Sequence, residues 1–440
     1  MPATIHNDLL IYKGSNFFRQ RLLLATLSGR AIKIEDIRST HDDPGLREYE
    51  VSLIRLLDKV TNGTRVELSQ TGTSVYYQPG ILVGGQVTHN CSTQRGIGYY
   101  LEILLALGPF CKEPINAVLQ GVTHSALDVS VDKIKAAALP LLLKFILVDD
   151  GLELKVVRRG APPLGGGEVV FKCPVRRHLR PLQWSKWGLV KRIRGVVYAL
   201  RVSPTMANRV VDAAKGFINV KFTKIETRFL IKTPLIFPYY YFQVMLNFIP
   251  DVYINTDQCR GSNAGKSPGF GISLVAETDD KTYYCAEAVS ISYFIYFILE
   301  VYITRCRCLY FVPFLAVYLG RECAQRLLDE IYRGGAVDSC FQWLLALWMA
   351  LGQKDVSECI VSCNPLAVYL GPRPGVGPLS DYTITFLQHL KEFFGVMFKL
   401  EVQRSGSDDE DSGDEGVAPA SKVKMTCVGI GYINISKRTL

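Results

Sequence analysis

The sequence contains no pair of cysteines at the Cys-x-x-Cys spacing, although 12 of its 440 residues are cysteine. The closest pairs are Cys306 with Cys308 and Cys359 with Cys363, and no histidine stands near either of them. The six histidines also lack the spacing that metal ligands show. We therefore expect no metal site, and we expect mostly buried, reduced thiols of the kind found in intracellular proteins.

Long uncharged apolar runs are missing as well. Glu300, Arg305 and Arg307 interrupt the most apolar stretch, residues 291–318, so no run reaches the ~18 residues that a membrane span needs. The first residues carry no basic segment followed by an apolar one, and we expect no signal peptide. With 48% hydrophobic residues, the chain is predicted to be globular and to have no membrane partner.

The chain also lacks a complete phosphate-binding loop of the NTPase type. The segment GSNAGKS places three residues between Gly261 and Gly265, where that motif has four. Pro268 then follows where the helix of the motif would begin. We interpret the segment as a loop that does not bind a nucleotide.

Positive charge is present in excess, with a formal net charge of +9. It is unevenly distributed, because the loop 401–420 is rich in acidic residues. A basic protein body favours anionic partners such as nucleic acid, although a basic protein with no such partner has the same composition. The acidic loop is predicted to be a solvated linker, or alternatively a kinase target at Ser407 and Ser412.

Strand and helix patterns alternate along the chain and indicate an α+β fold built from repeated βα-rich units. LLIYKG and AIKIEDIR have the character of strands, and the amphipathic segment FFRQRLLLATLSG between them predicts a helix that ends at Gly29. A similar order recurs from GIGYYLEILLALGPF to LELKVVRRG. In the last third, YTITFLQHLKEFFG predicts another helix and VKMTCVGIGYI a buried strand.

The most specific motif is RGAPPLGGGEVVF, from Arg159 to Phe171. Three consecutive glycines allow positive φ angles and leave the backbone unshielded. Such a turn can approach a phosphate group closely, or it can pack against another segment of the chain. The residues alone favour neither interpretation.

This motif resembles the signature of the RNA 3'-terminal phosphate cyclase family, R-G-x-x-P-x-G-G-G-x-V. Further landmarks occur in the family's order: LSGRAIKIEDIR, SVDKIKAAALPLL and SPGFGISLVAET. The resemblance implies a large domain of repeated βαβαββ-like units, residues 1–184 and 319–440, with a smaller α/β domain inserted at 185–318. The signature residues in this chain are Arg159, Gly160, Pro163, Gly165, Gly166, Gly167 and Val169.

The chain departs from the family at its catalytic positions. Tyr382 stands where cyclases carry the histidine that forms the enzyme–adenylate, and Phe393 matches a later family phenylalanine. A phenol is a weaker nucleophile than an imidazole at neutral pH. The turn 13–17, KGSNF, replaces the E-G-G-G-Q-like turn that serves nucleotide binding in active cyclases. These departures resemble the non-cyclase branch, for which we expect no catalytic residue and no cofactor.

A basic segment with interleaved aromatic residues extends from Phe171 to Arg194. It contains no acidic residue and holds Trp184 and Trp187. Guanidinium groups fit phosphates and indole rings stack on bases, so we expect this surface to contact RNA or an RNA-bound partner. The cations assigned to this role are Arg176, Arg177, Arg180, Lys186, Lys191, Arg192 and Arg194.

The resemblance to the non-cyclase branch implies a nuclear and nucleolar protein needed for early pre-rRNA processing and for 18S rRNA maturation. The implied partners are a nucleolar ribosome-assembly GTPase and the small-subunit processome with its snoRNA, with direct contact to pre-rRNA left open. Two alternatives remain, an active RNA 3'-phosphate cyclase and an endoribonuclease that cleaves pre-rRNA. A nuclease of this kind needs an acid–base pair, for which His389 and Lys391 are the only suggestive residues, although both are expected at the surface of a helix.

Three segments depart from the family pattern, at 220–246, 289–317 and 361–375. Joining the sequences that flank each one restores family-like sequence, and each segment begins with valine, whose codons start with GT. We hypothesise that they are translated introns. Tryptic peptides from residues 221–245 in the native protein would refute this hypothesis.

Overall fold

The computed structural model describes residues 9–148, 150–186, 188–223, 251–290, 311–362, 379–403 and 422–434. Within these ranges the chain folds into three βαβαββ units and one inserted domain. The α+β prediction with repeated units is confirmed. The three segments predicted to be translated introns lie largely outside the described residues.

The first unit has two parallel strands followed by an antiparallel hairpin. Its sheet order is β1-β2-β4-β3, with β1 and β2 parallel. Helix α1 ends at Gly29, whose φ of 72° is the left-handed conformation that glycine adopts without strain. The elements are β1 Leu10–Lys13, α1 Phe18–Ser28, β2 Ile32–Glu35, α2 Glu48–Val60, β3 Arg65–Leu68 and β4 Val75–Gln78.

The second unit repeats this topology, with sheet order β5-β6-β8-β7 and β5 parallel to β6. Its second helix, α4, runs from Val131–Lys133 through a π-helical turn, Ile134–Ala138, to Leu139–Ile146. The other elements are β5 Gly84–Asn90, α3 Ile97–Leu107, β6 Glu113–Gly121, β7 Glu153–Arg158 and β8 Gly167–Cys173.

The third unit begins with the two-residue strand β9, Gln183–Trp184, after which the chain builds the inserted domain. This domain is one sheet of order β11-β10-β12-β13 with two helices that pack on a single face. Its elements are β10 Val190–Leu200, α5 Pro204–Thr223, β11 Asp251–Cys259, β12 Gly269–Thr278, β13 Tyr283–Val289 and α6 Phe311–Arg333.

The chain then returns to finish the third unit, whose sheet order β9-β14-β16-β15 is that of the other two. β9 and β14 are parallel, and the remaining pairs are antiparallel. The elements are α7 Gln342–Leu351, β14 Val356–Ser362, α8 Asp381–Phe394, β15 Lys399–Gln403 and β16 Lys422–Val428.

Two hydrophobic cores follow this division. One extends through the three units, and the other lies between the inserted sheet and its helices. Residue 318, where the family resemblance places the end of the inserted domain, falls inside α6. Leu327 and Ile331 of this helix still pack in the second core, so the inserted domain extends to the end of α6.

Membrane and metal features can be assessed over the described ranges. No helix there is both long and apolar enough to cross a bilayer, and no cluster of three or more His, Cys, Asp or Glu residues is placed to hold a metal. Eight of the nine described cysteines are buried, and all nine are free thiols. Their burial agrees with the expectation from the sequence.

Candidate functional site

Tyr382 lies at a pocket of about 350 Å³ between the first two units and α8. Ser380 accepts a hydrogen bond from the backbone N–H of Thr383 and so caps α8, which places Tyr382 in the first turn of the helix. The turn before α1 forms another wall of the pocket. The lining residues are Ser15, Asn16, Phe17, Phe18, Arg19, Gln20, Arg38, Tyr49, Glu50, Arg95, Tyr99 and Tyr382.

The phenol of Tyr382 is held by Arg19 of α1. The guanidinium of Arg19 donates to the Tyr382 hydroxyl at 3.0 Å and also pairs with Glu102 of α3. It lies over the rings of Tyr99 and Trp343 as well, at 5.0 and 5.7 Å from their centroids. The phenol of Tyr382 is therefore part of an ion-pair and aromatic network.

The two other arginines of this pocket also have carboxylate partners. Arg38 donates two hydrogen bonds to Glu50, at 2.7 and 2.8 Å. The Nε of Arg95 lies 2.9 and 3.0 Å from the two carboxylate oxygens of Asp128. Charge-assisted pairs of this kind satisfy the guanidinium groups and neutralise them locally. Little uncompensated positive charge is left here for the phosphates of a nucleotide.

The turn before α1 is closed by side chains. Phe17 adopts a left-handed conformation with φ of 58°, and its ring lies 6.1 Å from the rings of both Tyr382 and His389. Arg21 donates to the carbonyl of Gly14 at 2.9 Å. The ring of Phe17 therefore lies between this turn and Tyr382 and takes up part of the space beside the phenol.

The two suggested nuclease residues are not brought together. His389 is 5% exposed and lies edge-on to Tyr12, with ring centroids 5.4 Å apart. Residues two apart on a helix do not share a face, so Lys391 does not lie on the buried side of α8 with His389. Its side chain is exposed. The expectation that both lie at the surface is thus met by Lys391 and wrong for His389. Burial, with Arg21 nearby, lowers the pKa of His389 to about 4.

This buried histidine predicts a loss of stability in acid. Unfolding restores an ordinary pKa near 6.5, so between pH 6.5 and 4 the unfolded chain binds a proton that the folded chain does not. The free energy of unfolding therefore keeps its full contribution from the neutral ring above pH 6.5. This contribution decreases as the pH is lowered from 6.5 to 4. We expect His389→Phe to reduce the drop in unfolding free energy between pH 7 and pH 5 by roughly 1–2 kcal/mol.

Urea unfolding at both pH values measures this effect. Buried His89, whose pKa burial likewise lowers to about 4, supplies a similar share and remains in the variant. The exposed His41 provides the control, since His41→Phe should keep the full wild-type drop. An equal drop in the wild type and in His389→Phe would contradict the assignment.

The signature arginine joins the second unit to the inserted domain. Arg159 is 6% exposed, and its guanidinium donates to Asp132 of α4 at 2.7 Å and to Asp257 of β11 at 2.6 Å. His124 completes the cluster, with its Nε2 at 2.9 Å from Asp132 and its ring against that of Tyr198 at 4.3 Å. The ion pairs hold these two parts of the fold in a fixed arrangement.

The two glycine-rich segments pack against each other. The carbonyl of Gly165 accepts from the backbone N–H of Lys266 at 2.9 Å, and the N–H of Gly265 donates to the carbonyl of Arg159 at 2.8 Å. A Cβ on Gly265 would lie 2.5 Å from the oxygen of Gly165, and Gly166, with φ of 83°, lies against Lys266. The structure therefore favours the interpretation in which the signature turn contacts another chain segment. Pro163 lies in the same turn, after a cis peptide bond.

The basic run is divided among three sheets. Its cations start on β8 of the second unit, continue past β9 of the third and end on β10 of the inserted domain. Arg192 pairs with Glu277 and Arg194 with Asp251, each at 2.6 Å. Lys144 covers the ring of Trp184, with Nζ 3.4 Å from the centroid, and Trp187 lies outside the described residues. Arg177, Arg180, Lys186 and Lys191 are exposed, and Arg176 donates to the carbonyl of Val148.

Sequence reasoning did not find the carboxylates of this site. Glu50, Glu102 and Asp128 are separated by many residues and follow no motif, so their pairing with arginines depends on the tertiary fold. Asp132 likewise meets Arg159 only through the fold of the second unit, and Asp257 meets it only after the inserted domain has docked. The one signal in the sequence was the signature itself, since a buried arginine requires carboxylate partners.

Comparison with known proteins gives the chain its relatives. The model of the family described as RNA 3'-terminal phosphate cyclase matches residues 10–400. A probable RNA 3'-terminal phosphate cyclase-like protein of Drosophila melanogaster is 52% identical over the full length of both chains. The human RNA 3'-terminal phosphate cyclase-like protein is 50% identical over 97% of each chain, and the Schizosaccharomyces pombe rRNA processing protein rcl1 is 37% identical over 97% of each.

Proposed function

Because this chain belongs to the RNA 3'-terminal phosphate cyclase family, we propose that it is a non-cyclase member that acts in ribosomal RNA processing. The observation that supports the non-cyclase assignment is the hydrogen bond from Arg19 to Tyr382, the residue that the resemblance places at the position of the catalytic histidine. Arg19, in turn, is already paired with Glu102. The role in rRNA processing is supported by the name of the similar Schizosaccharomyces pombe protein.

The cyclase alternative requires a nucleophile and a cradle for a nucleotide. The pocket at Tyr382 offers a phenol, with Phe17 beside it and its arginines already neutralised by carboxylates. The nuclease alternative requires a paired acid and base, and His389 and Lys391 lie on different faces of α8. A scaffolding role in RNA processing therefore fits this site better than either chemistry.

The finer assignment concerns place and partners. We infer a component of the small-subunit processome in the nucleolus, needed for 18S rRNA and acting with a ribosome-assembly GTPase and the processome snoRNA. These assignments rest on the resemblance to the non-cyclase branch. Purification of the tagged protein from nuclear extract, followed by assay of the bound fraction for GTP hydrolysis and snoRNA, tests them directly.

Depletion of the protein from cells tests the main proposal. We expect selective loss of 18S rRNA and accumulation of its precursors on northern blots, with 28S rRNA spared. Expression of the wild type should restore 18S, and so should Tyr382→Phe, which removes the hydroxyl but keeps the ring, because the tyrosine performs no chemistry.

Two results would overturn parts of this proposal. Normal 18S levels after depletion would remove the role in rRNA processing. Failure of a folded Tyr382→Phe protein to restore 18S would show that the hydroxyl is needed and would argue against a scaffold. ATP-dependent cyclisation of an RNA 3'-phosphate by the purified protein would return the cyclase alternative.

A further inference from the structure

A cleft of about 810 Å³ separates the second unit from the inserted domain. One wall is formed by the outer edge of β7 and the π-helical turn of α4. The other wall is the face of the inserted sheet that its two helices leave uncovered. The cleft lies next to the Arg159 ion pairs, which fix the distance between the walls. Its size falls within the usual range of ligand sites.

The open sheet face carries a ladder of side chains in register. Arg194 on β10 stands opposite Tyr253 on β11 and Val275 on β12. The next row consists of Val196, Asn255 and Ser273. Alternate residues of the same strands point to the other face and pack under α5 and α6. Tyr253 is 56% exposed, although no apolar core requires a tyrosine there.

Charge in the cleft is predominantly positive. Five cations and two carboxylates line it, and both carboxylates, Asp132 and Asp257, are bound by Arg159. Lys135 and Lys155 are exposed and have no ion-pair partner within 4.0 Å among the described residues. Glu153, an acidic neighbour of both lysines, pairs with Lys172 instead, at 2.9 Å. The cleft therefore offers two uncommitted ammonium groups to an anionic ligand.

Hydrogen-bonding capacity is also unused here. Arg158 Nε, Gln258 Nε2 and Ser273 Oγ are buried and have no hydrogen-bond partner in the part of the chain that the structure describes. All three residues line the cleft. Buried polar atoms in folded proteins are nearly always satisfied, so three unsatisfied groups in one cleft indicate that a polar ligand completes them.

We propose that this cleft binds single-stranded RNA, with its phosphates on Lys135, Lys155 and Arg158 and a base stacked on Tyr253. An unpaired strand suits the site because a base can stack on a tyrosine only when it has left its own helix. The structure indicates a polyanionic ligand with a flat ring. The choice of RNA as that ligand rests on the proposed role in rRNA processing. Arg159 is a positioning residue in this scheme, since its contacts are with Asp132 and Asp257.

The test is fluorescence anisotropy with the full-length protein and a 5'-labelled 12-nucleotide oligouridine. Tyr253→Ala should weaken binding about tenfold, and Tyr253→Phe should stay within about twofold of wild type, because stacking needs the ring and not the hydroxyl. Lys135→Ala combined with Lys155→Ala should weaken binding at low salt. It should also lower the slope of log affinity against log salt by about 1.4, at ~0.7 for each phosphate contact.

Matched controls remove similar groups elsewhere. Tyr318 of α6 is 54% exposed, so Tyr318→Ala deletes an equally accessible ring outside the cleft. A double variant, Lys112→Ala with Lys399→Ala, removes the same charge at exposed positions away from the cleft. Both controls should bind as wild type does.

Three results would overturn the assignment. One is equal binding by the wild type and the cleft variants, and another is equal losses in the cleft and control variants. The third is absence of RNA binding together with binding of a labelled polyglutamate peptide, which would mark the cleft as a site for an acidic protein segment. None of these results depends on 18S rRNA levels in cells, so failure here is distinguishable from failure of the proposed function.

Discussion

Arg159→Ala is expected to lower the free energy of unfolding by about 3–5 kcal/mol, because it leaves a buried carboxylate without its guanidinium. Asp132 carries most of this cost, since its side chain is 15% exposed, whereas that of Asp257 is 45% exposed and can be solvated. In the wild type His124 Nε2 lies 2.9 Å from Asp132, and we expect this contact to remain in the variant. One hydrogen-bonded neighbour does not replace a charge-assisted pair.

Equilibrium urea unfolding measures this effect, followed by circular dichroism and by tryptophan fluorescence. Arg158→Ala is the matched control, because Arg158 is the adjacent arginine and reaches Glu168 only at 3.7 Å. That long, partly exposed pair is worth less than about 1 kcal/mol. If the two variants lost equal stability, the ion pairs of Arg159 would not be what stabilises the contact between the second unit and the inserted domain.

Gly160→Ala is the second change with a large expected effect. A Cβ at this position would lie 2.3 Å from the backbone nitrogen of Gly167 and 2.7 Å from the carbonyl oxygen of Gly121. Both obstacles are backbone atoms of neighbouring strands, which cannot rotate away as a side chain can. We expect a loss of about 3 kcal/mol or more, at the upper end of overpacking effects, or failure to fold.

The control for this change is Gly216→Ala in α5. A Cβ there meets no atom within 4 Å, and the residue is helical, so alanine should stabilise the protein by about 0.5–1 kcal/mol. Melting temperatures of both variants give the comparison. A Gly160→Ala protein as stable as the wild type would mean that the strands can separate at no cost, contrary to the packing described above.

Local sequence signals predicted much of the fold, because they act within a few residues. Gly29 and Gly395 end α1 and α8 at the positions expected of left-handed caps, with φ of 72° and 71°. The recurrence of strand and helix patterns predicted repeated units, and the structure contains three with one sheet order. The end of the inserted domain was harder to place, since α6 runs without a break through residue 318.

The candidate site was less predictable, because it depends on contacts between distant residues. Tyr382 was found through a motif, but its contact with Arg19 spans 363 positions. The contact between the signature turn and the segment 261–267 favours one of the two interpretations that the glycines alone left open. No sequence pattern marks the cleft beside Tyr253. One of its walls is the edge of β7 and the other is the open face of the inserted sheet, and the two meet only when the domains dock.

The two-residue strand β9 has a consequence for the order in which the protein matures during synthesis. Its partners are Glu358 and Cys359, so Gln183 must wait for about 175 further residues to leave the ribosome. The first two units contain all of their own strands and can close as they emerge, but the third stays open until the inserted domain has been made. Contacts of such long sequence separation form late and slowly. The buried side chains of Leu179 and Leu182, just before β9, therefore need protection from aggregation until the third unit closes.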